Sequence, residues 1–223
     1  MTHTPKIIRS RRKTIALVVQ PNGELLVRAP QRATLKQIKA MVAKHADWIA
    51  KKQAQVLSAK ATFAPRQFVA GEQVPFLGEN YSLQLVNVKK PILDLNGNFQ
   101  LAQSAQGQAA QLFEQWYRQQ ARTVFTERVE LYAQKYGFEY AKIRISSART
   151  RWGSCSSKGT LSFTWRLVMA PLEIVDYVVV HELSHLREHN HSKAFWAQVA
   201  AILPDYKSRR KWLKVNGTNF HWP

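Results

Sequence analysis

Four of the chain's seven histidines, His181, His185, His189 and His191, fall within eleven residues. The first two frame the run His181-Glu182-Leu183-Ser184-His185, an H-E-x-x-H. On a helix, residues four apart lie ~6 Å apart along the axis and ~40° apart around it, so both imidazoles can reach one metal ion. Zinc accepts such nitrogens at ~2.0–2.1 Å. Glu182 points to a neighbouring sector of the helix, where it can hold a water and take its proton. The chemistry expected is hydrolysis by a zinc-polarised water, with Glu182 as the general base.

A tetrahedral site needs a third protein ligand. His189 continues the four-residue spacing but stands ~12 Å from His181 along a straight helix, too far to close the site with the other two. It is expected behind the ligands or on the surface. His191 can close the site if the chain turns at Asn190, a residue that tolerates the left-handed conformation. The spacing of His181, His185 and His191 equals that of H-E-x-x-H-x-x-G-x-x-H enzymes, with Glu188 where those have glycine. Glu188 is the weaker alternative as third ligand.

These residues require a helix that is buried on nearly every side. Ile174, Val175, Tyr177, Val178, Val179 and Val180 are apolar almost all round, broken only by Asp176. A buried helix that carries two histidines and a glutamate must give them partners. Pro171 is placed to open this helix, and the apolar pattern extends it over residues 172–189. Ahead of it, 142–146 alternates as a strand, and 151–156 with 160–167 reads as a hairpin around Lys158-Gly159. A long amphipathic helix spans 109–136, with Leu112, Trp116, Ala121, Val124, Phe125, Val129 and Tyr132 on its apolar face and Gly137 as its stop. Ser192 is placed to cap a helix ending before Pro204, and a basic helix follows over 205–215.

The first half reads differently. Residues 14–19 and 24–28 pair as a hairpin across Asn22-Gly23. A helix capped by Thr34 runs from Leu35 to about Leu57. Short strands follow at 81–86 and 99–101, and the small polar run 104–108 reads as a linker. The fold class is α+β: a β-rich, basic N-terminal region over 1–105, then a mostly helical domain over 106–223 with a small sheet and the H-E-x-x-H helix.

The 223 residues carry 33 Lys+Arg against 14 Asp+Glu, a net charge of +19. Thirteen of the cations lie in the first sixty residues, against Glu24 and Asp47 alone. Lys207, Arg209, Arg210, Lys211 and Lys214 form a second cluster. This excess points to an anionic or nucleic-acid partner and says nothing about the reaction. With one cysteine, Cys155, the chain cannot form an internal disulfide, which fits a reducing compartment. No apolar run approaches the ~20 residues that span a bilayer, and the N-terminus lacks the core of a secretory signal. A cytoplasmic protein without membrane contact is expected. No P-loop and no run of paired acids is present, so the usual carboxylate-held Mg²⁺ of phosphoryl transfer has no obvious site.

Several further stretches accompany the histidines: Arg151-Trp-Gly-Ser-Cys-Ser156, Trp165-Arg-Leu167, Ala170-Pro171, Asn190-His-Ser192, Phe195-Trp196, Pro204-Asp-Tyr206 and Trp212-Leu213. Together with Arg11-Arg-Lys-Thr14, Val27-Arg-Ala-Pro30 and Trp48-Ile49, they resemble the YgjP-like metal-dependent hydrolases, related to SprT-like zincins. The resemblance spans nearly the whole chain. It implies a zincin-type metallopeptidase fold, Zn²⁺ on His181, His185 and His191, and Glu182 as base. It leaves the substrate open, because a nucleotide pyrophosphatase activity is also attached to some members.

Candidate substrate-binding residues follow. A strand edge at Arg151, Trp152, Gly153 and Ser154 can bind extended peptide through its backbone. Arg151 can stabilise an oxyanion or clamp a phosphate, or make only a structural ion pair, and Trp152 can be core. Arg166 is a further anion-binding candidate. Tyr177, one turn before His181, is either core or part of the site. Three functions compete: a zinc metallopeptidase, a nucleoside triphosphate (UTP-type) pyrophosphohydrolase on the same metal site, and a nucleic-acid-associated protease docked through its basic half.

Overall fold

The structure is a computed structural model and describes residues 5–20, 22–62, 66–220 and 222. They fall into two units, Met1–Pro65 and Arg66–Pro223.

In the first unit three strands form one sheet: β1 (Lys6–Ser10), β2 (Ala16–Val19) and β3 (Leu25–Pro30), in the order β1-β3-β2. The expected hairpin is there as the antiparallel β2–β3 pair, and β1 adds in parallel to β3. The turn is fastened by Asn22, whose Oδ1 accepts from the Glu24 N–H at 3.0 Å. Thr34 caps α1 (Leu35–Lys44) in a full capping box with Gln37. The single helix expected from Leu35 to Leu57 is broken at His45, where the backbone leaves helical geometry, and α2 (Ala46–Thr62) follows. Val27, Ala29 and Ile38 form the small core.

The second unit opens with β4 (Gln73–Phe76), β5 (Glu79–Val86), β6 (Leu93–Asn96) and β7 (Asn98–Ala102), in the order β4-β5-β7-β6. The sequence pattern shows two of these four strands; β4 and β6 are short edge strands with weak alternation. A 3-10 turn over Gln103–Gln108 leads into α3 (Ala109–Tyr136). The division expected after residue 105 therefore lies at 65/66. The reason is the core: Phe68, Leu83, Phe99 and Leu101 from the strand region are buried in one cluster with Phe113 and Tyr117 of α3. The run 104–108 is thus no linker, and Gln106 donates to the Phe68 carbonyl at 2.9 Å.

The limits of α3 match its pattern, and Gly137 ends it in the left-handed conformation. Its buried stripe is shifted in the first half to Phe113 and Tyr117, leaving Leu112 and Trp116 half-covered. Three more strands follow: β8 (Lys142–Ser146), β9 (Gly153–Cys155) and β10 (Thr160–Thr164). β10 lies centrally, parallel to β8 and antiparallel to β9, so β9 is an edge. Trp165–Met169 forms a 3-10 turn before α4 (Leu172–Ser184), with Pro171 at its N-cap. Then come α5 (Lys193–Ile202), capped by Ser192, and α6 (Tyr206–Asn216).

Two devices hold α4. Leu77 and Gly78, with φ 49° and 89°, make the two-residue turn between β4 and β5. A Cβ on Gly78 would stand 2.8 Å from the Pro171 Cα, so only glycine lets this turn abut the helix start. The Asp176 carboxylate, the one break in the helix's apolar surface, takes two bonds from Arg128 of α3 at 2.6 and 2.9 Å. Within this unit α4 is buried along its length, as its composition demands.

Candidate metal centre

His181 and His185 lie one turn apart at the C-terminal end of α4. The helix expected to run to residue 189 stops at Ser184, and the chain turns through 185–187. The turn is made by successive backbone bonds: Leu186 N–H donates to the Leu183 carbonyl, and Arg187 and Glu188 N–H both donate to the Ser184 carbonyl. Asn190 does not adopt the left-handed conformation; among the described non-glycine residues only Phe68 and Leu77 have positive φ. The reversal that the third ligand requires therefore comes earlier and without a special residue. It delivers His191, whose Nε2 lies 3.0 Å from the His181 Nε2.

One nitrogen from each of His181, His185 and His191 lies within 4.8 Å of the others. Two nitrogens ~2.0–2.1 Å from a shared tetrahedral zinc stand roughly 3.4 Å apart, so the spread suits one small cation. The proton positions agree. The Glu188 carbonyl can only accept, so the His185 Nδ1 at 3.0 Å donates to it and leaves Nε2 as the free donor atom. Glu188 thus serves through its backbone, not as a carboxylate ligand. Burial, and next the neighbouring His185 and His191, push the His181 pKa down from 6.5 to about 3. Its imidazole is neutral, the form that ligates a metal. The His191 pKa is also lowered, first by burial and then by His185 and Arg210. The donor set fits a zinc-type ion. His189 is exposed and takes no part in the cluster.

Phe195 forms the floor. Ser192 Oγ accepts from its N–H at 3.2 Å, which fixes the first turn of α5. The fully buried ring then lies 4.6–4.9 Å, centre to centre, from all three imidazoles. Trp196 stacks on His191 at 5.6 Å, and Arg210 lies over that indole at 4.7 Å. Tyr177 is buried with its ring 6.0 Å from that of His181, so it belongs to the wall of the site. The roles of Phe195 and Trp196 are invisible in the H-E-x-x-H spacing. The available signal was their place in the first turn after a cap that directly follows His191.

Glu182 is 5% exposed and faces β9. A Cβ on Gly153 would stand 2.5 Å from its Oε1 and 2.6 Å from its Cγ. Glycine at 153 is what lets the carboxyl lie flat against the strand. Burial raises the Glu182 pKa from 4.5 to about 8, against the pull of Arg151. Ser154 and Gly153 pair with Ser162 and Phe163 of β10. Cys155 is half-buried, its thiol pKa raised by burial and then by Glu182.

The structure divides the remaining candidates. Arg151, Trp152 and Arg166 line a separate cavity with Arg149 and Lys214. Arg166 is buried, stacks on the Trp165 ring at 4.3 Å and donates to the Ser147 carbonyl at 3.3 Å. Trp152 packs edge-on against Phe220 at 6.0 Å.

Residues 13–216 match the family described as YgjP-like, metallopeptidase domain. The chain belongs to the YgjP-like family. It is accordingly a hydrolase of the metallopeptidase type, and its three histidines are the group that could hold the family's metal ion. Among solved structures it is similar to the zymogen of the Pyrococcus abyssi metallopeptidase abylysin, at 24% identity over 41% of this chain and 94% of that one, with a TM-score of 0.37. A search of curated proteins finds no match. No helix among the described residues is long and apolar enough to cross a membrane.

Proposed function

We propose that this YgjP-like chain is a zinc-dependent peptide hydrolase in which His181, His185 and His191 hold the ion and Glu182 is the general base. One observation carries the reading: three imidazoles converge within 4.8 Å, and the next residue after the first of them is a buried carboxyl. The ion, when bound, supplies a Lewis acid for the scissile carbonyl and brings the pKa of water at its open position toward ~7.

The protein's own groups do the rest. His185 is aimed by its bond to the Glu188 carbonyl, and Phe195 excludes water from behind the imidazoles. A cation on the histidines favours the ionised form of Glu182, which burial alone keeps protonated. One Glu182 oxygen then takes the proton of the attacking water and returns it to the leaving amine nitrogen. Glu182 lies on the face of β9, and the edge of that strand, unpaired among the described residues, offers backbone groups to an extended peptide.

The test combines metal analysis with a peptide-cleavage screen. Wild type is expected to carry about one zinc per chain. Glu182→Gln should keep that zinc and lose ~10²–10⁴-fold in cleavage rate. Zinc-free protein that still cleaves, or a Glu182→Gln variant with full activity, would falsify the assignment.

A further inference from the structure

The cavity that collects Arg151 and Arg166 is not explained by peptide hydrolysis. It has a volume of about 240 Å³, and Arg149, Arg151, Arg166 and Lys214 all line it. No carboxylate lines it among the described residues. Arg149, Arg151 and Lys214 are exposed, but Arg166 is only 6% exposed. Its guanidinium has five donors, and among the described residues its hydrogen bond is the one to the Ser147 carbonyl.

A buried cation without a paired anion is costly. The Arg166 pKa is lowered by burial first, and then by Arg149 and Arg118, against the pull of Glu114. Glu114 makes no ion pair with it among the described residues; that carboxylate is bonded by Arg118 at 2.8 Å. Nor can Arg166 discharge itself, since arginine stays protonated in proteins. The cavity is therefore short of negative charge.

We infer that this cavity is a binding site for a phosphate group, held by Arg166 from below and by Arg149, Arg151 and Lys214 at the rim. The chemistry decides between oxyanions. Four cations suit a multiply charged tetrahedral group better than one carboxylate, and guanidinium forks match phosphate oxygens two at a time. Size decides how much of a ligand enters. Pockets that enclose whole drug-sized molecules measure ~300–1,000 Å³, so this one takes a single charged group while the rest of the ligand lies outside. Trp152 separates Arg151 from Gly153 in sequence, and two residues of extended chain span at most ~7 Å. A phosphate held by Arg151 is thus near the carboxyl that Gly153 accommodates.

The test is calorimetric titration of the zinc-loaded full chain with inorganic phosphate, pyrophosphate, a nucleoside monophosphate, a phosphoserine peptide and acetate. Phosphate is expected to bind at least tenfold more tightly than acetate. The double variant Arg149→Ala/Lys214→Ala alters exposed side chains and should lose at least tenfold in phosphate affinity with its zinc content unchanged. Arg166→Lys, which keeps the charge but loses the fork, should also bind more weakly. If that buried change prevents folding, the double variant carries the test. A nucleotide or phosphopeptide that binds more tightly than free phosphate identifies the source of the group. Wild type with no preference for phosphate over acetate overturns the proposal. So does a double variant that binds like wild type, because phosphate would then sit on the metal or elsewhere. Glu182→Gln should bind phosphate at least as tightly as wild type, because it removes a nearby negative charge, so a failed hydrolase assignment and a failed phosphate site give different results.

Discussion

The second unit holds two clusters of basic side chains that answer their crowding in opposite ways. Around Phe195, three imidazoles press together, and burial with mutual repulsion drives His181 to a pKa of about 3. A neutral imidazole offers a lone pair that a cation can use. Around Arg166, guanidinium groups and Lys214 are also gathered, and arginine keeps its proton in proteins. They remain positive and call for an anion. Both regions look alike in a count of basic residues. What separates them is whether the group titrates within reach of neutral pH, and this decides the sign of the ligand each can take.

The contrast can be broken by experiment. The largest effect belongs to His185→Ala: zinc should fall from about one per chain to almost none, while phosphate affinity stays within twofold. Parallel loss of both ligands would merge the two sites into one. Next, Gly153→Val should push the Glu182 carboxyl off β9 and cut kcat by ~10²-fold at unchanged zinc. A fully active valine variant would show that Glu182 need not lie where the structure puts it.

Asp176→Ala strands Arg128 at the α3–α4 contact and should cost about 3 kcal/mol in chemical denaturation, with both ligand sites losing stability together. A cost below ~1 kcal/mol would mark the pair as incidental.

The smallest effect is on pH dependence without metal. Glu182 has a folded pKa of about 8, above its ordinary 4.5, so its burial costs stability as pH rises between those values. His181 has a folded pKa of about 3, below 6.5, so stability also falls as pH drops between those two. Chelated wild type should therefore show its highest Tm in mildly acid solution. Glu182→Gln should flatten the alkaline side alone. Identical Tm profiles for the two proteins would contradict the burial of the carboxyl.

Much of this arrangement is readable from residue order, and the failures have definite causes. The limits of α3 follow from its periodicity and from Gly137, but its stripe is set by what it meets. Phe113 and Tyr117 are buried because aromatic rings from the strand region and Trp222 lie against them. The helix bearing the histidines has a polar end with helical spacing up to residue 189. It stops at Ser184, and the turn after it is held by bonds to the Leu183 and Ser184 carbonyls. The boundary expected at residue 105 rests on composition, which cannot show that strands and helices share one core.

From sequence alone came the histidines, their H-E-x-x-H spacing, the glutamate beside them and the demand that α4 be buried. These rest on local geometry, since one helical turn brings His181 and His185 together whatever surrounds them. The third dimension decided everything that depends on chain separated by tens of residues. It gathered the three imidazoles, placed Phe195 under them, and laid Glu182 against Gly153. It also split Arg151 and Arg166 from the histidines and joined them to Arg149 and Lys214. Spacing along the chain carries no information about such meetings; only the packing of α4, α5, α6 and β9 brings the groups within reach.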